Sequence, residues 1–485
     1  MNSISAAVKR WVPELDERIW LPALAVGGFA VLFMKEVSVP FLLLAVAFAA
    51  FAWWTKDSPE MSLYLLAAYL PFGRLVSDPA ETPNILLTGL LAGAVLALAL
   101  AGRRMDARFF SWTPLGGAVA LFAGLSVFSL FRASFLYGEW YFWSRSSELA
   151  GWLMQIGFFF LVFWTVRDAR SAKTLISVIL GAVFMVGMMA TWEYVGSGGD
   201  SFESSRVWGI ADEPNRLGAF FVSYMFFFPA LFLADPRRRS YWFLAIPFLF
   251  SLRGLMVTFS RGGYLAFAAG VLAAAWFRHK GLFVLAVATG LFLLMNPAFL
   301  PGGIRYRLEM TVAKNAPKEA AASLDLTRLL EASASDRFEI WDTSVRIIQD
   351  HPWWGVGFGA FAGFFADYSS GRMEFDNAHN AFLMIAAEQG IPAALLFFLI
   401  LCLAVDQAVR LYQRTADRQV NGIALGFAAG VVGMTVANLF SHCFGFQEIS
   451  GYFWMLAGVV AKLWVLEQRR PMTAAEYAGW RERSE

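Results

Sequence analysis

Histidine and cysteine are nearly missing from this chain, and charge is sparse. Four histidines and two cysteines occur in 485 residues, and only 16% of positions are Asp, Glu, Lys or Arg. Cys402 and Cys443 fall in or near different apolar segments, close to opposite faces, which argues against a disulfide framework. There is no His-Glu-x-x-His, no Cys-x-x-Cys and no Asp-x-Asp pair. The ligand spacings of a metal centre are therefore lacking, and neither metal nor cofactor is expected. Gly355-x-Gly357-x-Gly359 has no strand before it and no cation after it, so it does not read as a phosphate loop or dinucleotide fingerprint. No internal repeat or low-complexity tract stands out. A net charge of +2 says little about partners, and no nucleic-acid partner is expected.

What fills the chain is apolar. With 58% apolar and 16% aromatic residues and a mean hydropathy of +0.55, it is too greasy for a soluble globule and reads as a polytopic membrane protein. Apolar runs long enough to cross the hydrocarbon as helices fall near 20–34, 38–54, 61–77, 84–101, 113–132, 149–166, 174–195, 216–234, 241–260, 262–277, 281–299, 381–409, 421–440 and 449–466. The expected fold is an all-α transmembrane bundle of about 12–14 spans. Basic clusters such as Arg103-Arg104, Arg237-Arg238-Arg239 and Arg410-Arg414-Arg418 occupy alternate connections. By the positive-inside rule both termini are then cytoplasmic, and the long polar stretch 300–380 is extracytoplasmic. The first 18 or so residues are mixed polar, without a small-residue cleavage site behind the first apolar run, so that run is expected to stay as an anchor. Three regions follow: an N-terminal bundle over 1–299, the loop over 300–380, and C-terminal helices with a cytoplasmic tail over 381–485.

The loop has a pattern of its own. Pro301-Gly302-Gly303 breaks away from the bundle, 317–330 looks helical, and 335–350 is a clearer helix with Phe338, Trp341, Val345 and Ile348 on one predicted apolar face. His351-Pro352 ends that helix, a glycine-rich turn follows, and the chain returns through Asp376-Asn377-Ala378-His379-Asn380.

Arginines on the expected outer side carry the strongest chemical signal. Arg261 stands at the junction of two spans in Ser260-Arg261-Gly262-Gly263, Arg253 lies inside the preceding span, Arg337 opens the loop helix, and Arg206 and Arg216 flank Asp212-Glu213-Pro214-Asn215. A guanidinium presents a fixed fork of donors that matches phosphate oxygens and stays charged. At a helix end the same side chain also serves as a snorkelling anchor, whereas a charge within a span faces a protein partner or a wet cavity. His379 sits where the loop re-enters the bundle, and Asn380 and Glu388 follow it on the next helix. His351 precedes the helix-ending proline, His442 stands isolated and His279 lies in a basic cluster, so all three rank below His379.

Taken together these residues resemble the O-antigen ligase superfamily of membrane glycosyltransferases. The resemblance rests on Ser260-Arg261-Gly262-Gly263-Tyr264-Leu265, on Arg337-Phe338-Glu339-Ile340-Trp341 with the later His351-Pro352 and Gly355-Val356-Gly357, and on His379-Asn380-Ala381-Phe382-Leu383 with Glu388-Gln389-Gly390-Ile391. It covers 205–400 and rests on hydropathy alone elsewhere. It implies a bacterial inner-membrane enzyme with a periplasmic site, acting on membrane lipid. The donor would be an undecaprenyl-diphosphate-linked glycan, and the acceptor a saccharide or the lipid A core. Arg261 and Arg337 would bind the diphosphate, with His379 at the reacting centre and Arg253, Arg206, Arg216, Asn380 and Glu388 as further binding candidates. Ligase and polymerase differ only in acceptor, and both stay open. A transporter or flippase of lipid-linked sugars is the competing class; it predicts inverted repeats and midplane charges.

Overall fold

The computed structural model describes residues 50, 52–73, 93–95, 97–98, 113–198, 206–309, 332–369 and 375–469. The chain divides into two compact units, 1–66 with 77–109 and 67–76 with 110–485. The expected spans at 20–34, 38–54 and 84–101 lie wholly or mostly outside the described residues, as does the expected helix at 317–330. Within the first unit, the Ser62 hydroxyl donates to Thr55 Oγ1 at 2.7 Å. A helix over Pro59–Tyr69 (α1) runs through the boundary between the units.

The second unit is all-helical among the described residues, as the apolar runs predict. Its elements are α2 (Pro114–Tyr137), α3 (Glu139–Thr165), α4 (Ala169–Gly196), α5 (Pro214–Tyr224), α6 (Phe227–Ala234), α7 (Ala245–Val257), α8 (Arg261–Arg278), α9 (Lys280–Met295), α10 (Gly302–Glu309), α11 (Ala332–Asp350), α12 (Phe361–Tyr368), α13 (Ala381–Gln389), α14 (Ile391–Arg414), α15 (Arg418–Ala437) and α16 (Gln447–Arg469). Eight helical segments among the described residues are long and apolar enough to cross a membrane. The chain is a multi-pass membrane protein.

Local sequence sets where these helices begin. The Thr113 hydroxyl accepts from Gly116 N with Pro114 at the first helical position, Asp168 accepts from Ser171 N, and Asp417 accepts from Gln419 N and Val420 N. Each satisfies amides that have no partner inside the helix.

Burial then sorts the helices. The most apolar windows of α5–α6, α15 and α16 are 78%, 78% and 83% buried, against 28% for the segment Arg239–Val257, so the first three form the centre and α7 the rim. Helix α15 packs closely on α5 and α6 because Gly422, Gly426 and Gly430 repeat every fourth residue along one face. A Cβ there would stand 2.8 Å from Leu231 Cα, 2.7 Å from Phe227 Cα and 2.2 Å from the Ser223 carbonyl oxygen. Small residues let backbones approach where lipid supplies no hydrophobic drive between helices.

Two sequence expectations need correcting. The run 381–409 is not one span: Gly390, at φ 89°, separates α13 from α14, and the span itself begins at Ile391. The buried face of α11 is also rotated from the predicted one. Ile340, Thr343, Ser344 and Ile347 are buried, whereas Phe338 and Val345 are 37% and 40% exposed. Ser344 turns its hydroxyl back to the Ile340 carbonyl at 2.7 Å, so a small polar residue is buried in the helix that contacts α13 without an unmet hydrogen bond.

Candidate active site

The site assembles where the 206–216 connection, the α7–α8 junction, the start of α11 and the re-entry at 375–380 meet. Its centre is His379. The Asn377 side chain accepts from the His379 amide at 3.0 Å, and Asn380 caps α13 by accepting from Phe382 N and Leu383 N. Between these two turns His379 is held at φ 45°, a left-handed conformation that costs a residue with a side chain about 1–3 kcal/mol. The other non-glycine residues with positive φ among the described ones are Asp212 and Phe259, both at 50° and both in connections that build this site.

Charges gather around the imidazole. Burial lowers the His379 pKa first, and the Arg337 and Arg216 guanidiniums lower it further, while Glu213 and Asp376 act in the opposite direction. At neutral pH the ring is therefore an uncharged imidazole, able to accept a proton. Arg216 is fixed on two sides: its Nε pairs with Glu213 Oε2 at 2.8 Å, and its guanidinium lies 3.4 Å above the Phe446 ring. Glu213 Oε1 accepts from Asn215, whose carbonyl oxygen accepts from the Ser260 hydroxyl at 2.9 Å. The 213–216 connection is thereby tied to the residue that caps α8.

Arg261 is the first residue of α8, behind the Ser260 cap on Gly263 N at 3.2 Å. Gly262 lets the junction lie against Phe440, since a Cβ there would be 2.9 Å from Phe440 Cβ. The Phe440 ring faces Trp341 of α11 at 6.3 Å, which joins the Arg261 junction to the helix carrying Arg337. The Ala381 amide donates to the Asn438 carbonyl at 2.9 Å, and the Cys443 amide to Asn438 Oδ1 at 3.0 Å, which holds the 438–446 connection beside His379.

The remaining sequence candidates lie in other settings. Arg253 is exposed on α7 with its guanidinium 4.8 Å from the Tyr194 ring of α4. Arg206 donates through Nε to the Thr258 carbonyl at 3.1 Å. Asn380 uses its side-chain oxygen as the cap already described. Glu388 is 6% exposed and accepts from the Phe361 amide at 3.3 Å; burial is the main cause that pushes its carboxyl up to about 8. It belongs to a separate clasp. There Gly355, Gly357 and Gly359 all have positive φ, Val356 N and Gly357 N donate to the Ala387 and Glu388 carbonyls, and Arg132, Tyr137 and Tyr141 donate to the carbonyls of Gly355, Val356 and Phe358. Of the other histidines, His279 caps α9 through Nδ1, and the His351 ring packs edge-on against Phe364.

Reading the sequence missed several residues. Glu213 joins Arg216 to Asn215. His442 is not isolated: burial, with Arg216 and His379 beside it, brings its pKa down to about 4, Asp376 acts against them, and its buried Nδ1 has no hydrogen-bond partner. Arg307 is 6% exposed and donates through Nε to the Phe259 carbonyl at 3.2 Å. The arginines of Arg305-Tyr306-Arg307, just after the last span before the loop, were the available signal, but the partner of Arg307 is a backbone carbonyl that leaves no mark in a sequence.

Comparison with known proteins gives one family match. Residues 246–398 match the family described as O-Antigen ligase, a segment that runs from α7 into α14 and contains Arg261, Arg337 and His379. No curated protein matches the chain.

Proposed function

From the match of residues 246–398 to the family described as O-Antigen ligase, we propose that this membrane protein is a glycosyltransferase working at the periplasmic face of a bacterial inner membrane. It moves a glycan from an undecaprenyl-diphosphate carrier to an acceptor hydroxyl on the lipid A core or on a growing polysaccharide. The observation that carries the reading is the environment of His379. A neutral imidazole in a strained turn, with the Arg337 and Arg216 guanidiniums beside it, combines a base with charges that suit a diphosphate.

In the reaction the acceptor oxygen forms a bond to the anomeric carbon while its proton passes to His379. The bond from that carbon to the diphosphate oxygen breaks, and its electron pair stays on the leaving group. Arg261 and Arg337 hold the diphosphate and stabilise the charge that builds on it, and preorganised donors are most effective where water is scarce. Displacement from the face opposite the leaving group inverts the anomeric configuration. The unusual charges collect at helix ends and in the described parts of the 300–380 loop, which favours transfer over passage of a lipid-linked sugar through the midplane.

The test uses full-length protein in nanodiscs with an undecaprenyl-diphosphate-linked glycan and an acceptor glycolipid. Transfer that is lost in Arg261→Lys and Arg337→Lys, with expression and thermal stability unchanged, supports the diphosphate assignment; full activity in both lysine variants removes it. Deleting the gene separates the two acceptors. Loss of all long chains linked to lipid A indicates a ligase, and surface chains reduced to a single repeat indicate a polymerase.

A further inference from the structure

Helix α7 ends in a turn whose carbonyls are all taken. The last carbonyls of a helix have no partner within it. Here Leu255 O accepts from the Thr258 hydroxyl at 2.7 Å, Met256 O from the Tyr264 hydroxyl at 2.9 Å, and Val257 O from the Val207 amide at 3.3 Å. Thr258 O then accepts from Arg206 Nε at 3.1 Å and Phe259 O from Arg307 Nε at 3.2 Å. Five successive carbonyls are thus held, the first by the turn's own Thr258 and the other four by donors from the 206–207 segment, from α8 and from α10. The last of them belongs to Phe259, one of the three non-glycine residues at positive φ among the described residues. Phe259 is 4% exposed, and a Cβ on Gly303 would stand 2.5 Å from its ring, so α10 closes on the turn from the same side as Arg307. The next two residues are the Ser260 cap and Arg261.

We propose that Arg307, assisted by Arg206, is a positioning residue for the transfer. Its Nε–H holds the Phe259 carbonyl, keeps the strained turn in place and so aims Arg261 at the diphosphate, without itself meeting the donor. The proposal rests on the reading of Arg261 as a diphosphate ligand. A turn at positive φ relaxes when the contact that holds it is removed, and a displacement of about 1 Å in a positioning group can cost about 10²-fold in rate.

The amide nitrogen of glutamine sits at the same distance along the side chain as Arg Nε and also donates. Arg307→Gln therefore keeps the bond to Phe259 and removes the charge and the fork, while Arg307→Met removes all three. Full-length protein in nanodiscs is assayed for transfer and for hydrogen exchange of the 256–264 backbone. The methionine variant is expected to lose about 10²-fold in kcat and to exchange faster at 261–264. The glutamine variant should stay within about threefold in transfer and exchange like the wild type. If glutamine loses transfer as fully as methionine, or if methionine leaves both readouts unchanged, Arg307 does not act by holding this turn. Should the methionine variant fail to fold, the glutamine variant decides alone: near-wild-type transfer upholds the placement, and loss as in Arg261→Lys overturns it. A wild type that transfers nothing would overturn the transferase reading instead, and exchange in methionine against glutamine would still decide whether Arg307 clamps the turn.

Discussion

Two polar regions of the second unit, the glycine clasp and the surroundings of His379, are built in opposite ways. In the glycine clasp the positive φ angles fall on Gly355, Gly357, Gly359 and Gly390, residues that adopt them without steric cost. Among the described residues, the buried side-chain atoms of that region all have partners. Around His379 the positive φ angles fall on Asp212, Phe259 and His379, and the buried Nε1 of Trp341 and Nδ1 of His442 have none. Strain borne by side-chain residues, together with buried polar atoms left unmet, costs free energy that folding alone does not require. The clasp ties the 355–359 turn to α13, whereas the strain and the unmet polar atoms gather around His379, where the proposed function places the donor.

The most demanding test of this contrast is His379→Asn. Asparagine tolerates the left-handed conformation but cannot act as the base. Turnover should fall by about 10²- to 10⁴-fold while thermal stability holds. In the wild type the acid limb of kcat/KM should have its midpoint below the ordinary imidazole value of 6.5, because the folded environment lowers the pKa of His379. An acid limb above that value would mean that another group takes the proton.

Next in size are Arg261→Lys and Arg337→Lys, each expected to lower kcat by about 10²- to 10³-fold, since lysine keeps the charge but not the fork. Single-turnover assays with saturating donor would show it. Variants of the clasp should behave differently. Gly390→Ala meets both a φ of 89° and the Trp353 carbonyl oxygen at 2.2 Å, so it should cost about 2–4 kcal/mol of stability without a specific effect on the chemical step. A wild-type melting temperature in that variant would break the comparison.

Glu388 sharpens it through pH. Its folded pKa of about 8 lies above the ordinary 4.5, so between these values the folded state binds more protons than the unfolded state, and stability falls as pH rises. Glu388→Gln mimics the protonated form and should flatten that slope in thermal unfolding from pH 5 to 8. An unchanged slope would place the titrating group elsewhere. The smallest expected effect is that of excess chelator on transfer by purified protein, because guanidiniums are assigned the leaving-group charge. Dependence on magnesium or manganese would shift attention to Asp212, Glu213 and Asp376.

Composition and periodicity by themselves determined that this chain is helical and multi-pass, and that the loop returns through a glycine turn to His379. They could do so because hydrocarbon admits only helices of a given length on such a chain, and because proline, glycine and capping residues mark helix ends locally. Only the tertiary structure decided which polar residues share a site. Glu388 and His379 lie on one short stretch of sequence yet belong to different regions, while His442, Arg216 and His379, from two connections and the first turn of α5, come together. The rotated face of α11 turns on Ser344 finding its acceptor within its own helix. The role of Arg307 turns on a carbonyl 48 residues earlier in the chain. Backbone acceptors look alike in every sequence, so which of them a buried guanidinium reaches is settled by packing alone.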